Sequence, residues 1–229
     1  MKADKTHPTL RLGLFGGTFN PIHLGHQQAA LEVLNQFDLH RIYFIPSALP
    51  PHKSLGTLAT AADRFEMVRL AIVDHPRLWV SDIELQRPGP SYTIDTIEYF
   101  KGEMDAEGRI YFILGIDAFL EINTWKSFRS LLAQSAVIVM SRPQAEADAD
   151  DLASTVAAFT QQRICSDYQW DRSRSALVHP RYRTIHLARI TPVDIASSRL
   201  RRMIREGRDI AQWIPPAVAH YIDQKDLYR

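Results

Sequence analysis

Three short runs in this chain, RIYFI (Arg41–Ile45), IYFIL (Ile110–Leu114) and AVIVM (Ala136–Met140), are apolar along almost their whole length. A strand with one face in water alternates apolar and polar residues. Continuous runs instead suit the interior of a parallel sheet covered on both faces. Parallel neighbours need crossovers of a dozen or more residues, and stretches with helical periodicity separate these runs. Leu24–Phe37 places Ala30, Leu31, Leu34 and Phe37 on one side. Asp63–Val73, with Asp63 as N-cap, turns Phe65, Met67, Val68, Ala71 and Ile72 inward. Thr93–Lys101 is a third helix; Leu10–Phe15, Leu78–Ser81 and Thr184–Ala188 are further strands. Ser197–Arg205 and Pro216–Gln224 close the chain as helices. The pattern predicts a doubly wound α/β fold with a mainly parallel sheet and C-terminal helices. A ligand of such a sheet lies beyond the C-terminal strand ends, near the switch point.

All 229 residues fit one domain. Residues 143–182 interrupt the rhythm and are expected to form a surface excursion, with an acidic start, a helix and a long polar loop over Ser166–Tyr182. Lysine and arginine number 27 against 26 acidic residues, a net charge of +1 that argues against a dedicated nucleic-acid binder. The single cysteine, Cys165, allows no internal disulfide and fits a reducing cytoplasm. No apolar run reaches the roughly 18 residues of a membrane span, and the first residues lack a signal-peptide core. A soluble, cytoplasmic protein is expected, with no membrane or nucleic-acid partner; oligomeric state is left open.

The stretch GGTFNPIHLGH, Gly16–His26, follows the first strand and opens the first helix. Gly16 and Gly17 permit a sharp turn and close approach of a ligand to the main chain. Pro21 suits the entry to a helix, where first-turn N–H groups and the helix dipole favour an anion. His23 and His26 are three apart, hence on one face of that turn, and both can donate to phosphate oxygens, which would raise their charged population. Gly25 leaves room between them. A zinc pair is a poorer reading, because no cysteine or carboxylate ligands are near in sequence.

This stretch resembles the GGTFDPIHxGH motif of the nucleotidyltransferase superfamily, and more narrowly that of the nicotinate-mononucleotide adenylyltransferases. Further similarities are PSALPPHK (Pro46–Lys53), PSYT (Pro90–Thr93), FILGIDAF (Phe112–Phe119), NTW (Asn123–Trp125), VIVMSRP (Val137–Pro143), IASSRLR (Ile195–Arg201) and the ending DQKDLYR. The resemblance runs from about Arg11 to the C-terminus and is weakest in the acidic segment after Pro143. It implies a Rossmann-like fold and transfer of AMP from ATP to nicotinate mononucleotide, with Mg2+ accompanying ATP and few or no direct protein ligands for the metal.

The resemblance also implies roles. His23, His26 and Arg201 would act on the reacting phosphates. Gly16, Gly17, Thr18, Phe19, Ser197, Ser198 and Arg142 would hold ATP, with Ser197 or Ser198 capping the helix they begin. Asn20, Lys53, Thr93, Asp117 and Trp125 would serve the acceptor, Trp125 by stacking on the pyridine ring and Asp117 on a ribose. The chain departs from the family pattern at Asn20, where aspartate is usual, and at Ala196, where serine is usual. Other readings remain open on the residues: an enzyme acting on nicotinamide mononucleotide or phosphopantetheine, or a non-catalytic nucleotide-binding protein of the same fold.

Overall fold

The computed structural model describes residues 9–49, 58–141 and 149–229, with side chains in the last segment from residue 151. Lys53 and Arg142 lie outside the described residues. The chain runs β1 (Arg11–Gly17), α1 (Leu24–Gln36), β2 (Arg41–Pro46), α2 (Ala61–Ile72), β3 (Leu78–Val80), α3 (Ile83–Gln86), α4 (Thr93–Gly102) and β4 (Arg109–Gly115). It continues with α5 (Ile116–Phe119), α6 (Phe128–Gln134), β5 (Ala136–Met140), α7 (Ala149–Phe159), β6 (Gln169–Asp171), β7 (Ala176–Val178), β8 (Ile185–Ala188), α8 (Ser197–Arg205) and α9 (Pro216–Gln224).

These strands form one eight-stranded sheet in the order β3-β2-β1-β4-β5-β8-β7-β6. The six from β3 to β8 are parallel. The apolar runs are interior strands because each serves two cores. Ile113 and Ile138 face Val33, Leu34, Met67 and Val68 of α1 and α2. Their neighbours Phe112, Leu114, Val137 and Val139 face Ile97, Phe100, Leu131 and Leu132 of α4 and α6. After β1 the chain winds outward through β2 and β3, then crosses back to place β4 on the other side of β1. The switch point therefore lies between the C-terminal ends of β1 and β4, and a ligand crevice opens there.

Three local expectations are corrected. The glycine pair does not turn: Gly16 and Gly17 finish β1, paired with Ile45 and Pro46 of β2. Pro21 follows a cis peptide bond outside the helix, which begins at Leu24 with His23 as N-cap. The N-cap of α2 is Thr60, whose hydroxyl accepts the Asp63 N–H at 3.1 Å; Asp63 sits one turn inside. The polar loop expected over Ser166–Tyr182 also contains structure. Its β6–β7 hairpin pairs antiparallel and continues the sheet beyond β8. Strands of three residues are too short to display an alternating pattern, yet Ala176 and Leu177 are buried there.

Candidate active site

A cavity of about 390 Å³ opens at the switch point. One wall is the β1 exit, Gly16, Gly17 and Thr18; the other is formed by Thr93 at the start of α4 and by Trp125. Trp125 packs T-shaped against Phe112 of β4, centroids 6.0 Å apart, and both rings line the cavity. The fold thus brings together Gly16, Gly17, Thr18, Thr93 and Trp125 across more than 100 residues of sequence. Asp117 is exposed in the first turn of α5, outside the cavity lining.

The histidines form a second, adjoining cluster. Their rings stack with centroids 3.7 Å apart. The His23 backbone N–H donates to His26 Nδ1 at 3.2 Å. A nitrogen that accepts carries no proton, so the neutral His26 ring bears its N–H on Nε2. His23 is 7% exposed, and burial pushes its imidazole down to about 4. It is therefore uncharged near neutrality in the unliganded chain. Its Nδ1 is buried without a hydrogen-bond partner among the described residues. Gly25 accommodates that ring, since a methyl there would lie 3.1 Å from His23 Nδ1. The expectation of open amides at this helix start is corrected for two of them. The Leu24 N–H donates to the Trp213 carbonyl at 2.9 Å, and the His26 N–H to the His23 carbonyl.

The start of α8 packs against the same loop. The Ser197 hydroxyl donates to the Pro21 carbonyl at 2.9 Å, and Arg201 Nη1 to the Asn20 carbonyl at 2.8 Å. Arg201 Nε is buried without a partner among the described residues. The N-cap of α8 is Ala196, not a serine, and no side-chain capping bond is made there among the described residues; Ser198 is exposed. Phe19 is a core residue packed edge-on to His26 at 5.2 Å. Asn20 is buried, and its Oδ1 accepts from the Ala59 N–H at 3.0 Å and the Tyr228 hydroxyl at 2.8 Å. It braces the loop instead of lining the cavity.

The family model described as cytidylyltransferase-like matches residues 14–203. The chain belongs to that family. Within it, the chain is 38% identical over 219 residues to a protein of Geotalea daltonii named probable nicotinate-nucleotide adenylyltransferase, covering 96% of this chain and 98% of that one. A relative of the same name from Desulfatibacillum aliphaticivorans is 37% identical, with 96% and 100% covered. Among solved structures, the Plasmodium falciparum nicotinic acid mononucleotide adenylyltransferase complexed with NaAD superposes with a TM-score of 0.71 at 21% identity. That match covers 96% of this chain and 97% of the other, and at this identity it speaks for the fold alone.

Three residues of this cytidylyltransferase-like protein escaped the sequence reading. Glu84 lines the cavity, buried, and accepts from the Thr96 hydroxyl at 2.9 Å; burial raises its carboxyl, while hydrogen bonds from Ser91 and Thr96 and the nearby Arg87 act in the opposite direction. Lys126, also in the lining, places Nζ 4.4 Å from the Tyr92 ring centroid and 3.1 Å from Asp95 Oδ1. Arg64 is 1% exposed. Its position was legible: it falls in the same helical stripe as Met67, Val68, Ala71 and Ile72, all buried. Among the described residues, a group of three metal-ligating side chains occurs at Cys165, Asp167 and His179, far in sequence from the motif. There His179 Nδ1 accepts from the Arg181 and Tyr182 N–H groups, both at 2.9 Å. The ring proton thus sits on Nε2, facing Cys165 Sγ at 3.5 Å, and offers no lone pair to a metal.

Proposed function

We infer that this chain is a nicotinate-nucleotide adenylyltransferase, moving AMP from ATP to the 5′-phosphate of nicotinate mononucleotide and releasing pyrophosphate to give deamido-NAD. The observation that carries the reading is the single cavity faced by both the glycine strand end and Trp125. A phosphate-binding backbone and an aromatic platform then address one reaction space. The acceptor's phosphomonoester, with a second pKa of about 6, is largely ionised at neutral pH and needs no protein base. Catalysis reduces to alignment and to stabilising charge on the reacting phosphate.

His26 Nε2–H is the donor for that task, held in its tautomer by the His23 N–H. Arg201 adds a fixed positive charge beside the loop, its Nη1 engaged on the Asn20 carbonyl. Gly16, Gly17 and Thr18 offer backbone to the triphosphate, with the start of α8 at Ser197 and Ser198. Thr93 and Trp125 receive the pyridine ring, Lys126 and backbone donors its carboxylate, and Asp117 a ribose. Lys53 and Arg142 supply further phosphate contacts in this reading.

Transfer of this kind uses a divalent cation with ATP. Mg2+ fits here as an ion carried by phosphate oxygens, and it would neutralise the leaving pyrophosphate. The cavity's buried carboxylate, Glu84, already accepts from Thr96 and is not needed for it. The whole of 1–229 acts as one catalytic domain in the cytoplasm, with neither nucleic acid nor membrane as partner. Pyrophosphate release from ATP with nicotinate mononucleotide, nicotinamide mononucleotide and phosphopantetheine as alternative acceptors tests the assignment. Fastest turnover is expected with nicotinate mononucleotide; preference for another acceptor reassigns the substrate, and release with none removes the enzyme reading.

A further inference from the structure

Arg64 is the largest fully buried side chain in the described structure, and all three of its hydrogen bonds go to backbone carbonyls. Nη1 donates to Thr18 at 2.8 Å, Nη2 to Ala48 at 3.2 Å and Nε to Ala59 at 3.1 Å. Each carbonyl belongs to a different segment, and each segment leads directly to the cavity region. Thr18 itself lines the cavity on the phosphate side. The Ala48 N–H donates to Ser91 Oγ at 3.0 Å, and Ser91 lines the opposite wall two residues before Thr93. The Ala59 N–H donates to Asn20 Oδ1 at 3.0 Å, and the Asn20 carbonyl holds Arg201.

A buried guanidinium costs several kcal/mol in desolvation. An apolar side chain would complete the inner stripe of α2 without that cost. The planar fork does what no apolar residue can, fixing two carbonyls at once in set directions. We propose that Arg64 is a positioning residue that fixes the separation between the phosphate-binding strand end and the acceptor wall. Its reach is from Thr18 on one side, through Ala48, to Ser91 on the other. It touches neither substrate. In-line displacement is sensitive to this separation, because a misplacement of about 1 Å can cost on the order of 10²-fold in rate.

This proposal rests on the adenylyltransferase reading. The test is steady-state pyrophosphate release by wild type, Arg64→Lys and Ser91→Ala, each confirmed as folded by near-UV circular dichroism and assayed well below its melting temperature. Lysine keeps the charge but cannot span two carbonyls. The expected signature for Arg64→Lys is kcat lower by about 10²-fold with both KM values within about 3-fold of wild type, a pattern of misalignment and not of lost binding. Ser91→Ala removes the acceptor of the Ala48 N–H, together with the Ser91 bond to Glu84, while keeping the guanidinium and its three carbonyl partners in the sequence, and should lower kcat in the same direction with both KM values held. If Arg64→Lys fails to fold, Ser91→Ala decides by that criterion. Wild-type kcat in the folded variants would reduce Arg64 to a support of the fold, and a rise in one KM at constant kcat would confine it to one subsite; either overturns the proposal. Active wild type with unaffected variants refutes the role of Arg64 alone. A wild type silent with every acceptor overturns this proposal together with the function beneath it.

Discussion

The two glycines that end β1 have unequal surroundings, and alanine at each should have unequal effects. A methyl on Gly17 would lie 2.8 Å from Phe19 Cζ and 3.0 Å from Cε1, closer than carbon atoms tolerate. Phe19 has little freedom to withdraw. It is 3% exposed, lies edge-on to Phe15 at 5.7 Å, contacts Phe44 at 5.5 Å and His26 at 5.2 Å, and starts from a left-handed backbone with φ of 48°. Overpacking of this kind costs about 1–3 kcal/mol. For a chain of this size that lowers Tm by roughly 2–12 °C. Gly16 is the internal control: a methyl there meets Phe112 Cε2 at 3.5 Å, ordinary contact. Gly16→Ala should leave Tm unchanged or raise it slightly, since alanine restricts the unfolded chain by about 0.4–1 kcal/mol. Differential scanning fluorimetry on both variants decides. Because Phe19 abuts His26, Gly17→Ala should also lower kcat, whereas Gly17→Ala combined with Phe19→Leu, which shortens the obstructing ring, should recover part of it. Equal melting temperatures for the two single variants would refute the steric account.

Other expectations concern the site directly. His26→Ala should retain the fold and reduce kcat by about 10²–10³-fold, as loss of a donor to developing charge does; a rate near wild type would move the donor elsewhere. Trp125→Ala removes a stacking surface worth about 1–3 kcal/mol, so KM for the mononucleotide should rise at least about 5-fold while KM for ATP holds; the opposite split would assign Trp125 to the adenine side. His23 has a folded-state pKa of about 4 against 6.5 unfolded, so the unfolded chain takes up the extra proton. Its contribution is complete above about pH 6.5 and lost as pH falls toward 4, on the order of 3 kcal/mol in full. His186, also pushed to about 4 by burial, acts in the same window. Melting temperatures measured between pH 7 and pH 4 should therefore fall less steeply in His23→Gln than in wild type, and identical slopes would contradict a buried neutral imidazole. Tyr228→Phe deletes one donor to Asn20 Oδ1 and should cost about 0.5–1.5 kcal/mol in urea unfolding; no change would mean that water replaces the hydroxyl.

Most of the fold was legible because its signals are local. Apolar runs without alternation suit strands buried on two faces, so RIYFI, IYFIL and AVIVM pointed to the interior of a parallel sheet. The bounds of α8 and α9, set by Ser197 and Pro216, match the sequence reading residue for residue. The motif Gly16–His26 likewise marked the β1–α1 junction before any tertiary contact was considered. The β6–β7 hairpin was hidden, because three-residue strands carry too little pattern. What only the tertiary structure decided are the partners separated by long stretches of chain. Tyr228 reaches Asn20 across 208 residues, and Ser197 reaches Pro21 across 176. His23 is neutral because the folded chain excludes water from it, and Arg64 is internal because three distant carbonyls converge on its fork. Periodicity and side-chain type act over one or two turns of chain and so fix elements and their buried faces. Desolvation and hydrogen-bond partners depend on what other segments bring alongside, and those arise only when the sheet has closed around its switch point.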